Sequence, residues 1–328
     1  MERPGGPLTG NLVEKLSRED RARLGALGRS RVLEAGAVLV RQGSVGDCLF
    51  ILEEGELAVV RSLPGDDEEV LLVARPGMIL GEMAVLDGGV RAASLRAVGH
   101  CVVRVIGVGA FDALTLHQGE AGLRILRAVA SMVHERLEST CGGATAAATA
   151  QERSSRLQWG APTSEVPELL GVLPAFATLD ATERESLMRH AAVAALPRAE
   201  EVVLPDGEAV GVTLVLRGAL SRWRDREAGP NELRPVAGPG AFADYAAALG
   251  LGRGAWRWRT RSATRLLRLD ARLFDADSPY AARLLHALSR DLATQLRRAT
   301  GLKMHFEMAW AHEARRPRAK RRVLVREA

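Results

Sequence analysis

The spacing of apolar residues changes several times along the chain, and each change marks a different kind of structural element. Residues 11–31 have apolar side chains at helical spacing and contain Ser17-x-x-Asp20, which is a helix start signal. From 32 to 80 the apolar runs are short or alternating and are interrupted by glycines and Pro-Gly pairs, a pattern typical of an all-β roll or barrel. Helical spacing returns over 117–139, so this part of the chain is predicted to be a β-roll flanked by helices.

The same order of patterns then starts again after a segment without periodicity. The small, polar residues of 142–165 predict a flexible linker. Residues 173–196 have helical spacing with Asp180 as the expected N-cap, and short strand-like runs follow. A last helix is predicted over 277–301, with the glycine at 301 as its stop.

Short segments of the two halves also align, which indicates a diverged repeat. LEEGELAV at 52–59 lies over LRGALSRW at 216–223, with Gly55 over Gly218, and PGMILGEMA at 76–84 lies over PGAFADYA at 239–246. The predicted fold class is mainly β with flanking helices: two tandem β-rolls (jelly rolls), each with an N-terminal and a C-terminal helix. The predicted segments are a first roll at 1–141, a linker at 142–165, a second roll at 166–302 and a basic tail at 303–328.

The positive charge of the chain is concentrated near its C-terminus. The formal net charge is +5, but residues 315–328 contain seven basic residues and one acidic residue, so the remainder is close to neutral. We expect a solvated tail whose contacts with nucleic acid are weak and nonspecific. The three cysteines follow no metal or disulfide spacing, and no apolar run is long enough to span a membrane. A cytoplasmic location without membrane contact is therefore expected.

One glycine-rich stretch, GEMAVLDGGVRAASL at 81–95, contains two opposite charges, Glu82 and Arg91. Helix N-termini and glycine turns present backbone N–H groups to an anion, and an arginine adds a planar fork for phosphate oxygens. A carboxylate accepts hydrogen bonds from hydroxyls such as those of a sugar, so the pair fits a nucleotide. The alternative is an internal salt bridge between the two residues, and the residues alone do not decide between these readings.

The stretch resembles the phosphate-binding cassette of the cyclic-nucleotide-binding domain family. The family pattern is Gly-Glu-apolar-Ala-apolar-apolar, a short gap, then Arg-small-Ala-Ser/Thr, and the resemblance covers roughly 11–140. It implies that Glu82 binds the ribose 2′-hydroxyl and that Arg91 binds the cyclic phosphate. It also implies that the start of the short helix over the ligand is formed by Gly81, Met83 and Ala84. The phosphate end would be lined, chiefly through backbone amides, by Ala92, Ala93 and Ser94.

Three details of the resemblance bear on the ligand. Val90 stands where the family usually has proline, which removes a stiffening element but no contact. The residue after the arginine is Ala92, whereas family members that prefer cGMP often have a hydroxyl residue there; cAMP is therefore favoured, with cGMP as the second candidate. The helix over 117–139 contains no aromatic residue to cover the base, so either an aliphatic residue or a residue from elsewhere, such as Trp159, would do so.

The second copy keeps the spacing of the cassette but has lost most of its residues. Asp244 and Arg253 align with Glu82 and Arg91, but the acid is one methylene shorter and Trp256 aligns with Ser94. This degenerate site is expected to bind weakly or not at all. The nearby WRWRTR alternates aromatic with basic residues, which would suit single-stranded nucleic acid but is favoured here as a strand with one core face and one solvated face.

The sequence favours binding rather than catalysis. It contains no recognisable catalytic arrangement, metal-ligand spacing or dinucleotide fingerprint, so no catalytic residue, metal or cofactor is expected. The resemblance implies a cyclic-nucleotide sensor that relays its occupancy to a protein partner, as a kinase regulatory subunit does. Two alternatives remain: a catabolite-activator-type transcription regulator without a recognisable helix-turn-helix, and a scaffold that has lost ligand binding.

Overall fold

A computed structural model describes six stretches of the chain. They are 12–63, 67–140, 157–204, 211–223, 236–251 and 256–315. Half of the predicted tail, at 316–328, and most of the predicted linker, at 142–156, lie outside the described residues. The boundaries of the two rolls and the properties of the tail therefore stay predictions.

The first copy of the repeat begins with two short helices, continues through strands interrupted by one helix, and ends with two helices. Its elements are α1 (Leu12–Lys15), α2 (Arg18–Ala26), β1 (Arg29–Leu33), β2 (Val38–Val40), β3 (Cys48–Glu54), β4 (Leu57–Ser62), β5 (Glu68–Ala74), β6 (Ile79–Leu80), α3 (Glu82–Asp87), β7 (Ser94–Ala97), β8 (Cys101–Gly107), α4 (Val108–His117) and α5 (Gly119–Thr140).

The second copy follows the same order and ends with the longest helix. Its elements are α6 (Val166–Gly171), α7 (Ala181–Met188), β9 (Ala191–Leu196), β10 (Glu201–Leu204), β11 (Val212–Arg217), β12 (Leu220–Trp223), β13 (Val236–Ala237), β14 (Phe242–Asp244), α8 (Ala246–Leu249), β15 (Trp256–Thr260), β16 (Thr264–Leu269) and α9 (Ala281–Arg315).

The strands of each copy form two antiparallel sheets. The first copy has the strand orders β1-β8-β3-β6 and β2-β7-β4-β5, and the second has β9-β16-β11-β14 and β10-β15-β12-β13. Each strand of the second copy occupies the place of the strand eight positions earlier. The structure thus confirms both the fold class and the diverged repeat.

A matched pair of glycines shows why the repeat kept these residues. Gly55 and Gly218, which end β3 and β11, have positive φ values of 79° and 88°. A Cβ atom at these positions would lie 2.3 Å from the His100 carbonyl oxygen and 2.4 Å from the Ala263 carbonyl oxygen, respectively. Only glycine fits both the backbone conformation and the close approach.

The two copies share a core built from their final helices. Buried leucines and valines of α5 and α9, among them Val129, Val133, Leu288 and Leu292, belong to one continuous apolar cluster. The contacts are reciprocal, because α3 of the first copy packs on α9 while α8 of the second packs on α5. This is the arrangement of an isologous interface, realised within one chain.

Both predicted helix caps are confirmed. The Ser17 side chain accepts a hydrogen bond from the Asp20 N–H (3.0 Å). The Asp180 side chain accepts from the Glu183 N–H (2.8 Å), and the Glu183 carboxylate accepts from the Asp180 N–H (3.0 Å), which completes a capping box.

Three predicted helix ends are wrong. Residues 29–31 belong to strand β1, and the predicted helix over 173–196 stops at Met188. The alanine-rich run Ala191–Leu196 forms strand β9 because pairing with β16 overrides its helical propensity. Gly301 does not stop α9, which continues to Arg315 through a sequence rich in helix formers.

The structural interpretation of WRWRTR is confirmed where its side chains are described. Trp258 of β15 is fully buried in the core of the second roll, and Arg259, on the other face, is partly exposed. The side chain of Trp256 lies outside the described residues. In the part of the chain that the structure describes, we find no helix with the length and apolar character needed to cross a bilayer.

An ion pair attaches the N-terminal helix α2 to the final helix of the first copy. The Asp20 carboxylate is 2% exposed and accepts hydrogen bonds from Arg124 Nε (2.9 Å) and Nη2 (3.0 Å). These bonds, more than any other effect, lower the pKa of Asp20 below its ordinary value.

Replacing Asp20 with asparagine should lower the free energy of unfolding by about 1–3 kcal/mol at neutral pH, since a doubly hydrogen-bonded charge is lost. Because the folded-state pKa is depressed, this stabilisation is present above the unfolded pKa and is lost as the pH falls through the folded pKa. Urea unfolding should therefore show a large difference between wild type and Asp20→Asn at neutral pH and little difference once the pH has fallen below the folded-state pKa of Asp20.

The matched control is Glu19→Gln. Glu19 pairs with Arg23 on the exposed side of the same helix, and such pairs contribute little. Equal losses for the two variants at neutral pH would contradict the role assigned to Asp20.

Candidate functional site

A cavity of about 100 Å³ lies in the first roll beside α3 and the loop that follows it. Its apolar wall is formed by strand residues that include Val40, Val59 and Leu72. Seven of the eight residues predicted for the first site line it: Gly81, Glu82, Met83, Ala84, Arg91, Ala92 and Ala93. The eighth, Ser94, is not among the lining residues; its hydroxyl accepts a hydrogen bond from the Gln42 N–H (2.9 Å).

Arg91 is buried, with 3% of the residue exposed, and its guanidinium is held by neutral acceptors. Nη1 donates to the carbonyl oxygens of Cys48 (2.7 Å) and Gly81 (3.2 Å), and Nη2 contacts the Cys48 sulfur (3.2 Å). Burial raises the pKa of the Cys48 thiol, which keeps it uncharged. The guanidinium also lies 5.2 Å from the centre of the Phe50 ring.

The charge of Arg91 is only weakly compensated by carboxylates. Asp47 Oδ1 lies 3.7 Å from Nη2, on a side chain that is 79% exposed. The Nε atom of Arg91 is buried and has no hydrogen-bond partner among the described residues. A buried cation in such surroundings favours an anionic ligand, because burying a charge without a counter-charge is costly.

The glycine at position 81 makes this arrangement of Arg91 possible. Gly81 has a φ of 77° and precedes the first residue of α3. A Cβ atom there would lie 2.6 Å from Arg91 Nη1, so any other residue would displace the guanidinium.

Glu82 is also buried, and its partner comes from α5. Its Oε1 atom forms an ion pair with Nη1 of Arg136, which also lines the cavity. Arg136 Nη2 donates to the Ile79 carbonyl oxygen (3.2 Å). The sequence reasoning missed Arg136 because it is separated from Glu82 by 54 residues and lies in no motif.

The structure bears directly on the alternative of a loop-closing salt bridge. Glu82 pairs with Arg136 and Arg91 is nearest to Asp47, and the described residues contain no ion pair between Glu82 and Arg91. The two charges of the cassette face one cavity with separate partners. Trp159, one of the two options for covering the base, packs instead against the core of the second copy, with Arg268 over its ring at 4.3 Å.

The degenerate site of the second copy is only partly described. Asp244 ends β14, and its Oδ1 atom accepts a hydrogen bond from the Ala246 N–H (3.4 Å). Arg253 lies outside the described residues. That these two residues lie together at one site therefore stays a prediction.

A buried arginine of the second copy aligns with a residue of the apolar cavity wall in the first copy. With Gly55 aligned on Gly218, Val59 aligns with Arg222. Arg222 is buried, with Nη1 bonded to Glu138 of α5 (3.0 Å), Nη2 bonded to the Tyr245 hydroxyl (2.8 Å) and the guanidinium 5.5 Å from the centre of the Trp258 ring. The change from valine to arginine was visible in the alignment of the halves.

Comparison with known proteins gives a family match over the same region. The model of the family described as "Cyclic nucleotide-binding domain" matches residues 30–118. A cAMP-dependent protein kinase regulatory subunit of Mucor circinelloides is 32% identical over 103 residues, which are 31% of this chain and 24% of that protein. The cyclic AMP receptor protein of Thermus thermophilus is 35% identical over 68 residues, 21% of this chain and 32% of that protein.

Other relatives and solved structures match to different extents. An uncharacterized ABC transporter ATP-binding protein of Mycobacterium tuberculosis is 42% identical over 65 residues, 20% of each chain. The regulatory domain of Toxoplasma gondii PKA with cAMP is 18% identical, with 92% of each chain covered and a TM-score of 0.30. The Thermus thermophilus catabolite activator protein is 25% identical, with 40% of this chain and 59% of that chain covered and a TM-score of 0.37.

The chain spans between about a fifth and a third of the length of these curated relatives. The family match covers strands β1 to β8 except Arg29, and it contains α3, the loop that follows it and all the residues that line the cavity except Arg136. Residues 30–118 of this chain thus match the cyclic nucleotide-binding domain family.

Proposed function

We propose that the chain is a sensor that binds cAMP in the cavity of its first copy and relays the occupancy to a protein partner without catalysing a reaction. The observation that carries this proposal is the buried guanidinium of Arg91, which is surrounded by neutral acceptors and only distantly compensated by Asp47. A cyclic phosphate supplies the missing negative charge, and its oxygens accept charge-assisted hydrogen bonds.

Glu82 supports the assignment of a nucleotide rather than a simple anion. Its carboxylate lines the same cavity as Arg91, and Arg136 contacts Oε1. The second oxygen can accept a hydrogen bond from a ribose hydroxyl, since an ionised carboxylate has about four lone-pair sites. The apolar strand residues that line the same cavity offer a surface for the sugar and the base.

The preference for cAMP over cGMP rests on Ala92. This residue lines the cavity directly after Arg91, and its methyl group neither donates nor accepts a hydrogen bond. By the resemblance to the family, cGMP-preferring members often place a hydroxyl there.

The relay to a partner is inferred from the shared helical core. Ligand binding changes an equilibrium only as far as the ligand's affinities for two states differ. The helix α5 both contacts the cavity through Arg136 and packs against α9, so it is placed to transmit such a difference.

Wild-type protein should bind cAMP more tightly than cGMP in titration calorimetry, and Arg91→Ala should weaken cAMP binding by about 2–3 kcal/mol because charge-assisted hydrogen bonds to phosphate are lost. The matched control is Arg96→Ala, since Arg96 forms an exposed pair with Glu68 nearby. No heat with either nucleotide, or equal affinity of wild type and Arg91→Ala, would refute the proposal.

Removing the Glu82 carboxylate should abolish the preference for cAMP over its 2′-deoxy analogue. Wild type should prefer cAMP to its 2′-deoxy analogue by about 1–2 kcal/mol, the contribution of one hydrogen bond to a charged group. In Glu82→Ala the two ligands should bind almost equally, as measured by competition against a fluorescent nucleotide. A preference that persists in the variant would assign the ribose contact to another residue.

The second copy should bind no nucleotide, because Arg222 occupies the place of a cavity wall and is already paired with Glu138. Equilibrium dialysis is expected to give one cAMP per chain, and Arg91→Ala should weaken binding at that site. A second site that survives Arg91→Ala and disappears with Arg253→Ala would show that the degenerate cassette is functional.

A further inference from the structure

We propose that the second copy completes the nucleotide site of the first, with Arg297 of α9 as a positioning residue for the loop that leads into Arg91. The proposal rests on the function proposed above for the cavity. It assigns a role to Arg297, which lies 206 positions after Arg91 in the sequence. Arg297 belongs to the second copy, which is itself expected to bind no nucleotide.

Arg297 binds both ends of a single four-residue segment. Its Nε and Nη2 atoms donate to the two carboxylate oxygens of Asp87 (2.8 and 3.0 Å), and Nη1 donates to the Val90 carbonyl oxygen (2.8 Å). Asp87 is the last residue of α3 and Val90 directly precedes Arg91. All three nitrogens of the guanidinium therefore hold the connection between the cassette helix and the phosphate-binding residue.

This contact differs from an ordinary surface ion pair. The Asp87 side chain is 7% exposed and that of Arg297 is 29% exposed, and the two form a bidentate fork, the geometry in which arginine is strongest. Exposed pairs with a single bond contribute little by comparison.

The sequence of the loop fits the guanidinium closely. Gly88, with a φ of 67°, ends α3 in a left-handed conformation. The Gly89 N–H donates to Asp87 Oδ1 (2.9 Å), and a Cβ atom on Gly89 would lie 2.9 Å from Arg297 Nη2. A side chain at position 89 would therefore push Arg297 away from the loop.

The identity of residue 90 explains why the loop depends on the restraint from Arg297. The family usually has proline here, whose ring fixes φ, and valine provides no such restraint. Its side chain is 48% exposed and does not anchor the loop in the core. The end of the loop next to Arg91 is tied to the preceding turn by the bond from the Arg91 N–H to the Ser44 carbonyl oxygen (2.8 Å). Val90 also forms an isolated β-bridge with Val45, and Arg297 adds restraints at the Asp87 carboxylate and at the Val90 carbonyl oxygen.

The contacts of Arg297 preorganise the loop that precedes Arg91. A loop already fixed in its binding conformation loses less entropy when the ligand arrives, so its affinity is higher. In this chain the restraint comes from α9, and the affinity of the first copy for a phosphate should depend on α9 remaining docked on α3.

The test compares Arg297→Ala with Arg298→Ala in the full chain, with cAMP as the probe in titration calorimetry. Arg298 is exposed and is the next residue on the same helix, so it controls for charge and helix propensity. Arg297→Ala should weaken cAMP binding roughly tenfold, which corresponds to about 1.4 kcal/mol of added cost for ordering the loop, whereas Arg298→Ala should leave it unchanged. Asp87→Asn should weaken binding in the same direction, which keeps the test decisive if Arg297→Ala does not fold.

Two further comparisons separate positioning from a general loss of structure. In an Arg91→Ala background, Arg297→Ala should cause no additional loss of affinity, because the group it positions is gone. Val90→Pro should restore part of the affinity lost in Arg297→Ala, since the Val90 N–H donates no hydrogen bond to another described residue that the ring would remove.

The outcomes distinguish this inference from the function on which it rests. If wild type binds neither cAMP nor cGMP, the proposed function fails. If wild type binds cAMP and Arg297→Ala binds it equally well, or if Arg297→Ala costs as much in the Arg91→Ala background as in wild type, the positioning role of Arg297 is overturned.

Discussion

The buried guanidinium of Arg91 is the constraint on which the first copy depends. A desolvated cation is costly unless it is well hydrogen-bonded and near a counter-charge, and here the backbone supplies most of the compensation through the carbonyls of Cys48 and Gly81. That solution requires a glycine at position 81, because a side chain there would collide with the guanidinium. The site is therefore built around an incompletely compensated charge, and an anionic ligand would supply the remainder.

The cassette helix α3 links this site to the second copy. Its first residue, Glu82, is bound by Arg136 of α5, and its last residue, Asp87, is bound by Arg297 of α9. Because α5 and α9 also form the shared apolar core, the two helices and the cassette form one connected unit. A change in the cavity and a change in the packing of the copies are then expected to affect each other.

Features encoded by neighbouring residues could be predicted from the sequence, and features that depend on distant pairing could not. The caps at Ser17 and Asp180, the turn at Gly55 and the residues around the cavity follow from short patterns. Strand β9 was missed because an alanine-rich run forms it only through pairing with β16. The partners Arg136 and Arg297 were missed for the same reason, since no local pattern connects them with the cassette.

A single position distinguishes the apolar cavity wall of the first copy from the packed interior of the second. Where the first copy has Val59, the second has Arg222, which is buried against Trp258 and paired with Glu138 of α5. Glu138 follows Arg136 by two residues, and side chains two residues apart on a helix point about 200° apart. One side of α5 therefore binds the cassette of the first copy while the other binds the filled interior of the second. Under the proposed relay, a rotation of α5 on ligand binding would act directly on the pair between Glu138 and Arg222.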